Sequence, residues 1–305
     1  MFASSNPTQP APCGVINVHK PGGWTSRDVV NRLNRLVRPS KAGHAGTLDP
    51  LATGVLLVCV GKATRLIDYA QQMEKQYRGT FLFGRTSTTE DVEGEMTLLP
   101  NAPRPSAADV AAAAAKFLGE TLQRPPAFSA LRVAGQRAYD LARAGREVIL
   151  EPRKIFIRSI EVVAYDYPEL TLDIVCGSGT YVRSIGRDLA ERLGTGAAMS
   201  ALVRTRIGSF ELADAWDLEQ LRPENSAEWL IPPRRLTTAL PTVVLTAEQV
   251  TEIANGRYIE LLGDNLHGAQ DVAAIGPDGE LHSILKPRGA NQFGARMNLR
   301  DVPGS

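Results

Sequence analysis

Cysteine is scarce in this 305-residue chain: Cys13, Cys59 and Cys176 are odd in number, far apart and never in a Cys-x-x-Cys pair. That argues against a disulfide framework and against a zinc site of the usual spacing, and it fits a reducing compartment. No apolar run approaches the roughly 18 residues expected of a membrane span, and Met1 to Cys13 lacks the charged-then-apolar order of a signal peptide. The expected location is the cytoplasm, with no membrane contact. An excess of charge of one sign is missing too, since 34 Lys and Arg face 33 Asp and Glu for a formal net charge of +1. Nucleic-acid-binding domains are commonly basic overall, so any grip on phosphates must come from local clusters.

What the chain does have is length and apolar content. At 43% hydrophobic it can build one sizeable domain and a smaller one. Gly14 to Val18 reads as a strand, and Thr25 with Asp28 starts an amphipathic helix whose apolar side is Val29, Val30, Leu33, Leu36 and Val37. Val55 to Val60 is continuously apolar and too short for a typical helix, so it reads as a buried strand, with the glycine-rich loop Gly43 to Gly54 at its end. Further strands are expected at Tyr77 to Phe83, around Ile155 to Tyr165 and at Leu170 to Cys176. Helices are expected from Ser106 to Gly119 and from about Tyr181 to Leu193.

Pro125 to Val148 looks like a protruding loop and helix, and Pro223 to Pro233 like a linker. After Pro241 a helix capped by Thr246 and Gln249 and a hairpin turned by Gly276-Pro277-Asp278-Gly279 suggest a small, mostly β unit. The expected class is α+β, a mixed, largely antiparallel sheet with flanking helices. The expected division is a polar tail at 1–13, a main domain at 14–240 with an insertion at about 124–152, and a small domain at 241–305.

The densest chemical signal is the fourteen-residue string Gly43-His44-Ala45-Gly46-Thr47-Leu48-Asp49-Pro50-Leu51-Ala52-Thr53-Gly54-Val55-Leu56. Glycines let a backbone approach a ligand closely, and Pro50 restricts Asp49. Taken singly, each feature has a plain structural meaning: an Asp-Pro step is a turn, His44 a loop residue, Tyr77 and Tyr181 core aromatics, Arg183 a surface residue.

Together they mean more, because the string resembles the signature of the bacterial tRNA pseudouridine-55 synthases, the family usually called TruB. The resemblance continues in family order through Lys20-Pro21-Gly22-Gly23, Lys75-Gln76-Tyr77-Arg78, Pro125 to Leu131, Gly179 to Ser184 and Leu202 to Arg206. It covers about residues 14 to 210. It implies that Asp49 is the catalytic nucleophile, that Tyr77 stacks on the target base, and that Arg183 pairs with the aspartate. His44, Tyr181 and Leu202 match positions that contact RNA or line the base pocket. Lys20 and Arg132 are candidate phosphate contacts, along with Lys41, Lys62, Arg65, Arg137, Arg143, Arg146, Arg153 and Lys154. The chain departs from the family at Arg132, commonly lysine, and at Thr88, commonly acidic; arginine keeps the charge and changes the donor geometry. The unit after Pro241 loosely resembles a PUA-like RNA-binding domain.

The implied reaction breaks the ribose bond to N1 of uracil, turns the ring and rejoins it through C5, without gain or loss of an atom. A carboxylate nucleophile suits it and no cofactor or metal is needed. A base stacked in a loop must be extruded at a cost of a few kcal/mol, which stacking on Tyr77 offsets by roughly 1 to 3 kcal/mol, while His44 is placed to wedge the vacated stack. The implied partner is the T stem-loop of tRNA, modified at position 55 by a monomer without a guide RNA. Two alternatives stand beside it: a tRNA-binding or folding protein that keeps the fold and lacks the chemistry, and a guide-dependent synthase of the box H/ACA type.

Overall fold

In a computed structural model, residues 11–128, 132–133, 136–137 and 150–300 are described, the two short pairs by backbone alone. Most of the loop and helix expected over Pro125 to Val148, and the first ten residues of the polar tail, lie outside the described residues. Along the chain come β1 (Gly14–Lys20), α1 (Ser26–Leu36), β2 (Ala42–His44), β3 (Thr53–Val60), α2 (Ile67–Gln72) and β4 (Lys75–Phe83). Then follow β5 (Arg85–Ser87), β6 (Met96–Leu98), α3 (Ala107–Ala115), β7 (Gly119–Gln123), β8 (Arg132–Val133) and β9 (Gln136–Arg137). After these come β10 (Arg153–Asp166), β11 (Glu169–Cys176), α4 (Val182–Arg192), β12 (Ala197–Ile207), β13 (Phe210–Glu211), β14 (Trp216–Asp217) and α5 (Ser226–Trp229). The last stretch holds β15 (Thr242–Val244), α6 (Ala247–Ala254), β16 (Ile259–Glu260), β17 (Val272–Ile275), β18 (Leu281–Pro287) and β19 (Gln292–Asn298).

The class is α+β, as the sequence indicates. Ten strands form one mixed sheet in the order β14-β1-β3-β12-β4-β11-β10-β7, with β2 on β3 and β13 on β12. Among the described residues of this sheet, only β1 with β14 and β3 with β12 pair in parallel. The alternation of β4 puts Lys75, Tyr77, Phe81 and Phe83 on its buried face, where α3, the turn after it and α4 cover the sheet through Val110, Phe117, Ile185 and Leu189. Towards the Lys75 end that cover stops, and the sheet face opens into a cleft. On another face, α1 buries Val29, Val30 and Leu33 against Ile16, Val18, Leu56 and Val58. Both halves of the capping box at the start of α1 are present: Thr25 Oγ1 accepts from the Asp28 amide at 3.1 Å, and the Asp28 carboxylate accepts from the Thr25 amide at 3.0 Å.

Three expectations need correction. The helix begun at Ser106 ends at Ala115, and Gly119 (φ +85°) opens β7, a strand hidden by its mixed polarity. The eleven-residue β12 was not expected, because small and charged residues break its apolar pattern; it is nevertheless a central strand. Pro223 to Pro233 is not a loose linker. Ile231 exchanges two backbone hydrogen bonds with Val15 at 2.8 Å each, and Trp229, 1% exposed, fills the layer under α1 with its indole N–H donated to Asn225 Oδ1 at 2.8 Å. Packing a large ring with its one donor satisfied outweighs the proline signal that suggested a linker.

A second sheet runs β15-β17-β18-β19-β16. Its Ala273, Leu281 and Ile284 share an apolar cluster with Val15 and Leu57 of the first and with Leu66 just before α2, and Tyr69 of α2 donates its hydroxyl hydrogen to Asp271 at 2.8 Å. Truncating Trp229 to alanine should cost about 3–5 kcal/mol of stability, read as a fall in the urea midpoint; an unchanged midpoint would mean that this strap is not part of the core.

Candidate active site

Asp49 sits in the loop between β2 and β3, and the loop is tied down on both sides. The Ser26 hydroxyl, at the start of α1, donates to Leu48 O at 3.1 Å and accepts from Leu48 N at 2.8 Å. Pro50 O accepts from Gly23 N at 2.9 Å and from Lys20 Nζ at 3.2 Å. Asp49 is thus flanked by two residues whose backbone is fixed to the β1–α1 connection. Lys20 also donates to Pro21 O at 2.9 Å and Trp24 O at 2.5 Å, and it is fully buried. This corrects its expected place among the phosphate contacts: three carbonyls saturate its three N–H donors, out of reach of solvent. Burial, partly opposed by the charge of Asp49, brings its pKa down to about 8.

Arg183 reaches the loop from the first turn of α4. Gly186, one turn further on, lets that helix lie directly on β4, because a Cβ there would stand 2.1 Å from the ring of Phe81. Arg183 Nε lies 3.0 Å from the Asp49 carboxylate. One terminal nitrogen donates to Thr89 O at 2.7 Å and lies 3.2 Å from Asp91 Oδ2, and the other donates to Phe128 O at 3.2 Å. Arg183 and Asp91 are 7% and 4% exposed at their side chains, while Asp49 is 35% exposed. The buried guanidinium is therefore held from behind by Asp91 and presents one edge to a carboxylate that remains open to a ligand. Asp91 is itself braced by Thr89 Oγ1 at 2.6 Å and by the Glu93 amide at 3.1 Å.

These groups border a cleft of about 510 Å³, within the usual range for small-molecule sites. Asp49, Tyr77, Arg183, Tyr181 and Leu202 all line it, so the structure brings together five of the eight residues singled out from the sequence. Tyr77 is 8% exposed, and burial pushes its hydroxyl above the usual phenol pKa. The guanidinium of Arg204, directly opposite Tyr77 in the β4–β12 pairing, stands 5.9 Å from its ring, while Arg204 Nε donates to Val55 O at 2.7 Å. β12 can come this close to β3 because residue 54 is glycine: a Cβ there would stand 2.2 Å from the Arg204 carbonyl. Tyr181 caps α4, its backbone clamped by Gln123 through two hydrogen bonds at 2.9 and 3.0 Å, and Arg153 covers its ring at 4.7 Å.

The other three candidates are not among the described residues that line the cleft. His44 is half-buried on β2 and does not line the cleft; its Nδ1 has no hydrogen-bond partner among the described residues. Burial first, then the charges of Arg204 and Arg27, lowers its pKa and favours the neutral ring. Lys20 is the buried anchor already described, and the side chain of Arg132 lies outside the described residues. Among the wider basic set, Lys41, Lys62 and Arg65 line a different cavity, and Lys154 is paired with Glu120 at 2.8 Å. Sequence reasoning missed Asp91, Ser26, Gln123, Lys75 and Arg204 as site residues. The last two stand inside quoted motifs, whereas Gln123 and Ser26 carry no signal of their own.

Comparison with known proteins gives a consistent result. Residues 34–182 match the model of the TruB family pseudouridylate synthase N-terminal domain, and residues 183–250 match that of the tRNA pseudouridylate synthase B C-terminal domain. A tRNA pseudouridine synthase B from Leifsonia xyli is 41% identical over 286 residues, covering 90% of this chain and 93% of the relative. Another from Moorella thermoacetica is 40% identical over 81% of this chain and 83% of its own. In three dimensions the chain resembles a Cbf5-Nop10-Gar1 complex, with TM-score 0.71, 23% identity, and 98% and 92% of the two chains covered. It also resembles an H/ACA RNP bound to a substrate RNA, with TM-score 0.72, 21% identity, and 99% and 95% covered. At that identity the likeness is one of fold.

Removing the rear carboxylate tests the clamp. Asp91→Ala leaves a buried guanidinium short of one partner, and the expected cost is about 3–5 kcal/mol in urea unfolding, together with slower turnover. Wild-type stability and turnover would show that Arg183 needs no brace.

Proposed function

The chain belongs to the TruB family of pseudouridylate synthases, and we propose that it isomerises uridine to pseudouridine in tRNA, at position 55 of the T loop, acting alone without a guide RNA. The observation that carries the proposal is the 3.0 Å pairing of Arg183 with a partly open Asp49 at the edge of a cleft floored by Tyr77.

The chemistry follows from that arrangement. The Arg183 guanidinium engages one oxygen of the Asp49 carboxylate and leaves the other to act on the nucleotide. A uridine extruded from its loop enters the cleft with its ring on Tyr77, and Leu202 supplies the apolar wall. Stacking on the tyrosine is worth roughly 1 to 3 kcal/mol and offsets much of the extrusion cost. Tyr181 and Arg153 form a second aromatic–cation pair at the mouth, suited to a base or a phosphate. His44, planar and favoured in its neutral form, is assigned the wedge in the vacated stack. Recognition by loop shape accords with the way proteins read single-stranded RNA. The alternative of a tRNA-binding protein without chemistry is disfavoured by the intact Asp49–Arg183–Tyr77 set, which mere binding would not require.

Asp49→Asn should abolish pseudouridine formation while tRNA affinity stays within a few fold. The assay is mass spectrometry after carbodiimide labelling of an unmodified tRNA transcript treated with the purified chain alone. Product made by the variant would remove Asp49 from the mechanism, and wild-type product appearing only with an added guide RNA would end the claim of independent action.

A further inference from the structure

The floor of the cleft carries a cation that no step above uses. Lys75 stands two residues before Tyr77 on β4, so the two side chains leave the same face of the strand, and both line the cleft. Lys75 Nζ donates to Met73 O at 2.6 Å and to Gln71 O, and no carboxylate pairs with it among the described residues. The groups around it are Arg204 from β12, Cys176 directly opposite on β11, Tyr77 on its own strand and Asp49 on the loop that borders the same cleft. The adjacent Glu74 is committed to Arg158 and Arg206. An ammonium has three N–H bonds, so one donor remains beside a cleft built for a ring with two carbonyl oxygens.

We propose that Lys75 gives this third N–H to a carbonyl oxygen of the target uracil as the ring becomes negatively charged, which makes it a further catalytic residue; the inference rests on the reaction proposed above. When the N1–C1′ bond breaks, its electron pair stays on N1 and spreads to O2 and O4. C1′ is satisfied either by a new bond from an Asp49 oxygen or by loss of the C2′ proton to a base. If Asp49 instead adds to C6, the displaced π pair moves through C5 to O4. Every route places charge on a ring oxygen. Afterwards C5 bonds to C1′, the C5 proton leaves, N1 takes up a proton, any proton borrowed from C2′ returns, and any bond to Asp49 is released. Lys75 keeps its own proton throughout. A fixed donor in a water-poor site stabilises such an oxyanion far more than water does, because it need not reorganise as the charge appears. Burial, followed by the charge of Arg204, lowers the Lys75 pKa to about 8, so the ammonium is present at neutral pH and is lost as pH rises through that value. Lys20 titrates in the same window, which makes substitution the cleaner test than pH.

The test uses Lys75→Met in the full chain, with single-turnover rates on tRNA carrying uridine or 5-fluorouridine at the target and loss of the N1-glycosidic link as the readout. Removing one oxyanion donor should slow the uridine reaction about 100-fold, with tRNA affinity little changed. On the 5-fluorouridine RNA the deficit should be smaller, since fluorine at C5 already stabilises the ring anion. An unchanged rate, a loss confined to affinity, or an equal loss on both RNAs would overturn the proposal and leave Lys75 as an anchor for α2. If the methionine variant does not fold, Lys75→Gln, which can still bond one of the two carbonyls but carries no charge, is judged by the same outcomes. Failure of the wild-type chain on the uridine tRNA would instead count against the proposed function, so the two failures are distinct.

Discussion

A guanidinium buried between two carboxylates determines where the reactive group of this protein stands. Arg183 has almost no freedom: Asp91, Thr89 O and Phe128 O hold its terminal nitrogens, and its Nε faces Asp49 at 3.0 Å. Two buried charges that satisfy one another and their surrounding carbonyls avoid the penalty of an unpaired buried ion. The partly exposed Asp49 then inherits a fixed position without being buried itself. The planar fork of arginine is needed for this, since a single lysine nitrogen cannot bond three directions of partner and still present an edge.

The rest of the fold can be understood as what brings that guanidinium and that loop together. Arg183 comes from a helix that touches β4 only because Gly186 has no side chain, and Asp49 comes from a loop that enters β3, whose glycine at 54 admits β12. Ser26 and Lys20, from the β1–α1 connection, fasten the loop on either side of the aspartate. The two matched family segments meet between Val182 and Arg183, so the site is assembled from both. Polar contacts run through carbonyls on every side of the cleft, which fixes the cations Lys75, Arg183 and Arg204 without neutralising all of them.

Much of this was legible in the sequence, for identifiable reasons. Capping boxes at Thr25, Ser106 and Thr246 are local and mark helix starts faithfully. The run Val55 to Val60 is buried on both faces and reads as continuously apolar, whereas β12 and β7 alternate in ways that small and charged residues obscure. The motif carrying Asp49 is dense enough to be seen, and Tyr77 and Arg183 follow from resemblance. Asp91 was not found, because a buried carboxylate in a threonine-rich loop looks like a turn residue until its long-range partner is known. Lys20 was misplaced for the opposite reason: a lysine before Pro-Gly-Gly reads as exposed, and only the folded chain reveals three carbonyls converging on it. The proline-rich strap at Trp229 reads as a linker in sequence because its anchor is a single ring, with no periodicity to announce it.

The claim that the site depends on the shape of one guanidinium, and not on positive charge alone, is tested most directly by the single-turnover rate of Arg183→Lys on unmodified tRNA. The account expects a loss of roughly 100-fold or more, the scale of removing a preorganised electrostatic group, with tRNA affinity near that of the parent chain. A rate equal to the parent's would contradict it, since a lysine there supplies the charge but not the fork that joins Asp49 to Asp91.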